Sequence, residues 1–320
     1  MKILLSLFAI LPLIAWSQFN ENSADDVFKV GINPKPKGHV KSVQTKCNTL
    51  ISLTEILTKA NQFDLRDEKF NLNYPNITVN MNKDSLVAGY ELMDSSSKVI
   101  KNLLYEYNQN KQLTVVYSID VNGNKKIMSK SMYDNQNRFI RSESYDSLNK
   151  ISSSYTITYK GNAVTKVYKD ETIHDTQVVE IEYLSNKKIS TQYFPDGSID
   201  WKCVEENINN RKHLHSKFFH NDHTVSQETE TFSDDKISTF SITVFNEYSP
   251  NWSNKMYATL NENGDEVESK ITNKGCKKCV PKIIKTYRYE YDTHGNFTRK
   301  IIMIDNIPII EITRTIEYYN

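Results

Sequence analysis

The sequence predicts an all-β fold: a long antiparallel up-and-down meander, strongly twisted or curled. Three observations lead there. A degenerate cadence of an aromatic or aliphatic residue, a turn cluster and then Ile, Leu or Val runs through most of the chain. It reads YNQNKQL from Tyr107, YDNQNRFI from Tyr133, YDSLNKI from Tyr145 and YLSNKKI from Tyr183, then FPDGSI from Phe194, FSDDKI from Phe232, LNENGDEV from Leu260 and YDTHGNF from Tyr291. Neighbouring copies often start 12 to 14 residues apart, as at Tyr107, Ile119, Tyr133, Tyr145 and Tyr159, and a short period of turn residues and β-formers specifies repeated hairpins. Five of the nine glycines (Gly123, Gly161, Gly197, Gly264 and Gly295) fall in these turns, where a positive φ is needed. Lastly, a mean hydropathy of −0.58 stands beside 19 Tyr and 13 Phe. Disordered chains are poor in aromatics. A sheet with one solvated face reconciles the two facts, because each strand then gives only alternate residues to a core.

The elements follow in order. Lys2 supplies a positive n-region, and Ile3 to Trp16 is a mostly apolar run too short for a comfortable membrane span. Ala15-Trp16-Ser17 places small residues where a signal peptidase reads, so residues 1–17 are read as a cleaved export signal and the protein as periplasmic, cell-surface or secreted. The first cysteine, Cys47, is too distant to carry a lipid anchor, and no later segment is apolar enough to cross a bilayer. Residues 18–37, polar and containing Pro34 and Pro36, form a flexible leader, and order starts at Gly38 to Val43. Residues 38–102 are a more irregular N-terminal part of the β-domain. Leu50 to Ala60 is ambiguous and leans to helix through Leu50, Leu53, Leu57 and Ala60, while Asn71 to Met93 holds short strands at Ile77 to Val79 and Leu86 to Leu92.

Over 103–320 the cadence governs. Strands are expected at Leu113 to Ile119, Ile127 to Tyr133, Ile151 to Tyr159, Val178 to Tyr183, Ile237 to Phe245, Ile283 to Tyr291, Phe297 to Ile304 and Ile309 to Tyr318. Alternation is clear in Leu113, Val115, Tyr117 and Ile119, and again in Ile151, Tyr155, Ile157 and Tyr159. Asp134, Asp146 and Asp292, each following a repeat Tyr, suit turn-starting side chains that bond nearby backbone amides.

These residues carry a resemblance. The turn Tyr291-Asp292-Thr293-His294-Gly295-Asn296 resembles those of YD-repeat (RHS-type) proteins, and Phe194-Pro195-Asp196-Gly197-Ser198-Ile199 is similar to the turn of MORN-like β-hairpin repeats. The opening Lys37 to Val43 is similar to the first strand of small exported YD-like proteins of Gram-negative bacteria. The resemblance spans about two thirds of the chain and departs from the pattern where copies lack the Asp or the Gly. Long members form shells around toxins or adhesive surfaces. The resemblance implies fold and export more than function, and this chain is expected to be too short for a closed shell.

Candidate chemistry is sparse. Cys47, Cys203, Cys276 and Cys279 are read as structural disulfides of an oxidising compartment, with three connectivities open: Cys276 to Cys279 locally, or one of these to Cys203. A zinc site of four thiolates shows only its CxxC half, and a redox pair would need a helix N-terminus rather than a Lys-rich loop. His213 and His215 share one strand face at a spacing that chelates metal, but His220 and His223 would have to fold back to complete a site, so surface histidines are the simpler reading. The rings suit either a glycan platform or, more simply, the core of a thin sheet. No nucleophile elbow, phosphate loop, HExxH or dinucleotide fingerprint is present, and no cofactor is expected.

The 40 basic residues against 39 acidic ones lack the electrostatic footprint of a nucleic-acid binder. The expected function is therefore a non-enzymatic exported scaffold binding an envelope or extracellular protein or polysaccharide. The alternative is a carbohydrate-active hydrolase with a site assembled from scattered residues.

Overall fold

The computed structural model describes residues 36–51, 76–207, 213–220, 225–233, 236–244, 252–275 and 282–320. The export signal, nearly all of the leader, nearly all of the ambiguous stretch Leu50 to Ala60, His223, Cys276 and Cys279 lie outside them. The N-terminal stretch supplies β1 (Val40–Thr49), β2 (Asn76–Met81), β3 (Val87–Met93) and β4 (Val99–Tyr107). The first cadence copies give β5 (Leu113–Ile119), β6 (Lys125–Tyr133), β7 (Phe139–Tyr145), β8 (Ile151–Lys160), β9 (Ala163–Asp170), β10 (Asp175–Tyr183), β11 (Lys187–Tyr193) and β12 (Ile199–Asn207). Then come β13 (His213–His220), β14 (Val225–Ser233), β15 (Ile237–Val244), β16 (Trp252–Leu260), β17 (Glu266–Lys274), β18 (Lys282–Tyr291), β19 (Phe297–Ile304) and β20 (Ile307–Tyr318). Two of the expected strands, Leu113 to Ile119 and Phe297 to Ile304, coincide with β5 and β19 at both ends.

Every strand pairs antiparallel with its sequence neighbours, and β1 also pairs with β20 from Val40↔Tyr318 to Thr49↔Ile310. The antiparallel meander is therefore as expected, but the sheet closes into a 20-stranded barrel instead of remaining an open, twisted repeat. At about 4.8 Å per strand, twenty strands make a perimeter of roughly 95 Å. Closure removes both sheet edges, whose unpaired N–H and C=O groups would otherwise be open to pairing with other chains.

The turns share one construction, which explains the cadence. At Asp134 the backbone N–H donates to the Arg138 carbonyl at 2.9 Å, and the Asp134 carbonyl accepts from Asn137 at 3.0 Å. Its Oδ1 accepts from the N–H groups of Gln136 and Arg138, both at 2.9 Å. Asn82, Asp94, Asn108, Asp120, Asp146, Asn261 and Asp292 repeat the pattern. The fourth residue has a left-handed backbone, with φ of 61° at Asn137, 59° at Asn149 and 75° at Gly295, and the ladder slips by one residue beside the turn, as between Met132 and Tyr133. This is a type I turn closed by a left-handed residue and a bulge. The fourth position selects Gly or Asn, and the first selects a short side chain that can bond forward.

Tyrosines clip the hairpins at one end. The hydroxyls of Tyr107, Tyr133 and Tyr159 donate to the carbonyls of Val87, Leu113 and Phe139 at 2.7, 2.8 and 2.9 Å, each 20 residues earlier. The structural repeat is therefore a hairpin, two cadence copies long. Tyr145, in the alternate copy, instead bonds Glu143 on its own strand at 2.7 Å.

Directly opposed residues share a face, so the registers sort every side chain to one wall. Val43, Thr45 and Cys47 of β1 face Val79 and Ile77 of β2 on one side and Ile316, Arg314 and Ile312 of β20 on the other. This is the buried wall, the inner one. Its apolar residues form two clusters. One is built on Cys47, Ile271, Ile283, Phe297, Ile302, Ile310 and Ile312, and the other on Val40, Val43, Ile77, Val79, Val87 and Leu92. Both lie on the arc that runs from β17 through β20 to β3, so the apolar core occupies one part of the ring.

Candidate functional site: a hydroxyl-lined arc of the inner wall

Away from that arc the inner wall changes character. Between β5 and β8 it carries Ser118, Ser129, Ser131, Ser142, Ser144 and Ser153. Registers Ser129↔Ser144, Ser131↔Ser142 and Ser144↔Ser153 set them side by side, and all are half-buried rather than packed. Serine is a poor core residue because its hydroxyl must be hydrogen-bonded when dry, so six on one wall imply contact with water or a polar ligand.

Rings border the serines. Phe139 lies edge-on to Tyr133 at 5.8 Å between centroids and stacks on Tyr155 at 6.1 Å. Tyr155 opposes Ser142 on one side and Tyr168 on the other. Burial holds the Tyr133 and Tyr168 hydroxyls above the ordinary phenol range, with Asp170 adding to the effect at Tyr168. They are neutral hydroxyls at neutral pH, suited to hydrogen bonding and not to base chemistry.

Six aspartates are committed to their own turns. Asp94, Asp120, Asp170 and Asp196 are held below the usual carboxyl range first by side chains in their own turns, namely Ser96, Asn124, Thr172 and Ser198. Backbone N–H groups of Arg138 and Lys150 do the same for Asp134 and Asp146. A carboxylate already ionised and accepting from its own backbone is a poor general acid, whose pKa should be raised towards the working pH.

His213 and His215 lie on β13, where His215 opposes Glu206 and Glu230 on the outer wall. Among the described residues no group of three or more His, Cys, Asp or Glu could hold a metal. Cys47 and Cys203 sit on β1 and β12 and are both buried, with no bond joining them. Burial, with Glu205 nearby, pushes the Cys203 thiol up to about 12. Their other candidate partners, Cys276 and Cys279, lie outside the described residues. Sequence reading missed the serine arc because its members come from four strands, and only the registers bring them together.

The outer wall is charged. Gln44, Lys46, Glu230, Glu268, Lys270, Thr315 and Glu317 are exposed there, and cross-strand pairs such as Lys217–Glu228 at 3.1 Å and Lys187–Glu206 at 2.6 Å tie neighbouring strands. Lipid-facing strands carry an apolar outward band in which such charges are costly, and this wall has the opposite composition.

No family model matches the chain, and no curated protein matches it. Solved structures do. A crystal structure of TcdB2-TccC3-Cdc42 aligns with 70% of this chain, at 9% identity and a TM-score of 0.31, and the chain spans only 14% of that one. A porin-like protein from Bacteroides uniformis aligns over 88% of this chain and 98% of its own, at 10% identity and a TM-score of 0.33. A porin-like protein from Bacteroides vulgatus aligns over 64% of this chain and 98% of its own, at 10% identity and a TM-score of 0.30. Likeness at this level carries no argument, and the barrel rests on its own strand pairing.

Proposed function

We propose that the chain is a non-enzymatic exported scaffold that binds a polysaccharide at the cell envelope along the inner wall between β5 and β9. One observation carries this reading: the arc of half-buried serines bordered by stacked rings. Sugars offer hydroxyls that pair with hydroxyls and C–H faces that lie on aromatic rings, which is the combination present here. Export rests on the N-terminal sequence, and the absence of catalysis rests on the engagement of the turn carboxylates.

A panel of envelope and capsular polysaccharides tests the reading. Binding by isothermal calorimetry is expected, with no turnover of glycoside, ester, peptide or phosphoester substrates. The double variant Ser131→Leu/Ser142→Leu fills the arc with aliphatic volume and is expected to abolish binding while leaving the melting curve recognisably native. Turnover that vanishes on replacing one carboxylate or histidine would overturn the scaffold, and unchanged polysaccharide binding by the double variant would overturn the site.

A further inference from the structure

Beyond the serine arc the registers carry the inner wall onward. They run through Tyr168↔Gln177 and Val179↔Gln192 to Gln192↔Trp201, then through Cys203↔Phe218 to Phe218↔Gln227. Every second residue of a strand shares a face, so Gln192, Trp201, Phe218 and Gln227 form one patch across β11–β14. The Trp201 and Phe218 rings lie 6.5 Å apart between centroids, tilted at 49°. The two glutamines are 7% and 8% exposed, although glutamine is mostly a surface residue.

Three polar atoms of this patch are buried with no hydrogen-bond partner: Oε1 of Gln192, Nε1 of Trp201 and Nε2 of Gln227. Gln192 is held by its other amide atom, since Nε2 donates to Asp200 at 2.9 Å. Turning that amide over would lose the bond, so Oε1 stays an acceptor with no donor. An unpaired buried polar atom destabilises a fold, and native proteins keep such atoms where a ligand or an ordered water meets them. Whatever meets these three must donate to one atom and accept from two. A hydroxyl does both, and a group with several hydroxyls beside an apolar C–H face also suits the two rings. Charge selects neither sign. Lys188 pairs with Glu205 at 2.7 Å on the same wall, and Lys166, opposite Val179, is balanced in number by Asp200.

We infer that this patch binds a neutral sugar residue, with hydroxyls bonded to Gln192, Trp201 and Gln227 and the C–H face against the Trp201 ring. The inference rests on the polysaccharide reading above. It adds a second contact on the inner wall, at β11–β14, and commits the polysaccharide to one that contains uncharged units.

Tryptophan fluorescence tests it. Trp16 and Trp252 are the other tryptophans, so Trp16→Phe/Trp252→Phe leaves Trp201 as the sole reporter. That variant is titrated with dextran, mannan and a linear β-1,3-glucan, all neutral, and with the acidic polymer alginate, while calorimetry follows the same four on the unmodified chain. At least one neutral polymer is expected to shift the Trp201 emission saturably. Gln227→Leu is expected to weaken that binding about tenfold and to leave the ligand-free chain as stable as before or more so, because it removes a buried unpaired amide. A purely structural glutamine would lose stability instead, and that result would overturn the inference. So would undiminished binding by Gln227→Leu, or an emission shift with alginate alone. Calorimetric binding with unchanged Trp201 emission, as from a patch that holds only water, would overturn this inference and leave the serine arc standing. No calorimetric binding of any of the four would overturn both.

Discussion

The carboxamide of Asn296 bonds both backbone groups of Lys37, 259 residues away in sequence: Oδ1 accepts from the Lys37 N–H at 2.6 Å, and Nδ2 donates to the Lys37 carbonyl at 2.9 Å. The same Nδ2 donates to the Tyr318 hydroxyl at 2.8 Å, and that hydroxyl donates to Asp292. The His294 ring stacks on Tyr318 at 4.1 Å. The β18–β19 turn thus latches the chain entering β1 to the end of β20, at the seam where the barrel closes. Asn296→Ala removes a buried side chain that holds the part-buried backbone of Lys37 at two points and is expected to cost about 1 kcal/mol or more, read by urea unfolding. Ser42→Ala, at the same seam but on the exposed wall, loses only a hydroxyl bond to Glu317 and should stay within about 0.5 kcal/mol.

The left-handed turn position separates two causes of strain. Gly197 has φ of 85°, and a Cβ at that position would meet nothing within 4 Å, so any cost of substitution there is conformational. Gly197→Val is expected to lose about 1–3 kcal/mol. Gly197→Asn should lose clearly less, because Asn137 and Asn149 already occupy the equivalent turn position with φ of 61° and 59°. Equal melting temperatures for the Val and Asn variants would show that this position does not constrain the fold.

These turns were legible in the sequence because they are local: a Tyr, an Asx and a Gly or Asn within a short window determine the hydrogen bonds. Closure was not legible. It depends on β1 fitting between β2 and β20, and nothing in Val40–Thr49 distinguishes a strand paired on both sides from an edge. The pairing of Cys47 with Ile312 and of Thr45 with Arg314 is a long-range fact that no short window contains. The serine arc was hidden for a related reason. Ser129, Ser142 and Ser153 look like solvated positions in their own strands, and only register shows that they share an enclosed wall. The tyrosine cadence was visible, but its division into carbonyl clips and the differently bonded Tyr145 follows from the two-copy hairpin period.

Acid should weaken the turns in a defined window. Asp120, Asp134 and Asp146 have folded-state pKa values below the ordinary 3.8. A depressed carboxyl stabilises the fold above its unfolded pKa, and that contribution fades as pH falls through the unfolded value towards the folded one. Asp134→Asn keeps a side-chain acceptor but removes the titration and the Arg138 pairing. The native chain should therefore be the more stable at neutral pH, with the gap closing as pH drops below about 4. Melting curves across that range check it, and a gap that widens in acid would reverse the assignment.

Cys203 is expected to be inert in the folded chain. Its thiol is pushed up to about 12, chiefly by burial, and reaction with alkylating reagents requires the thiolate. Iodoacetamide at mildly alkaline pH should leave Cys203 unmodified in native protein, as peptide mapping reads. Unfolding under reducing conditions should expose it. Rapid native labelling of Cys203 would mean that the inner wall at β12 opens to solvent.

The tyrosine clips give a prediction that tests the hairpin repeat itself. Tyr107, Tyr133 and Tyr159 make the same bond to a carbonyl 20 residues earlier, so each Tyr→Phe change deletes one hydroxyl and leaves the ring in place. Each is expected to cost about 1 kcal/mol, the usual net worth of a hydrogen bond. The three sites lie on separate hairpins two strands apart, so the triple variant should lose about the sum of the single losses. Tyr145→Phe differs because its hydroxyl bonds a carboxylate, Glu143, which Arg141 also pairs at 2.8 Å. Glu143 is buried, and a bond to a carboxylate is worth more than one to a carbonyl, so the loss there should equal or exceed that of a single clip. Urea unfolding of the single variants and the triple variant measures all of this. Losses that differ widely among Tyr107→Phe, Tyr133→Phe and Tyr159→Phe would show that the three clips are not one repeated bond.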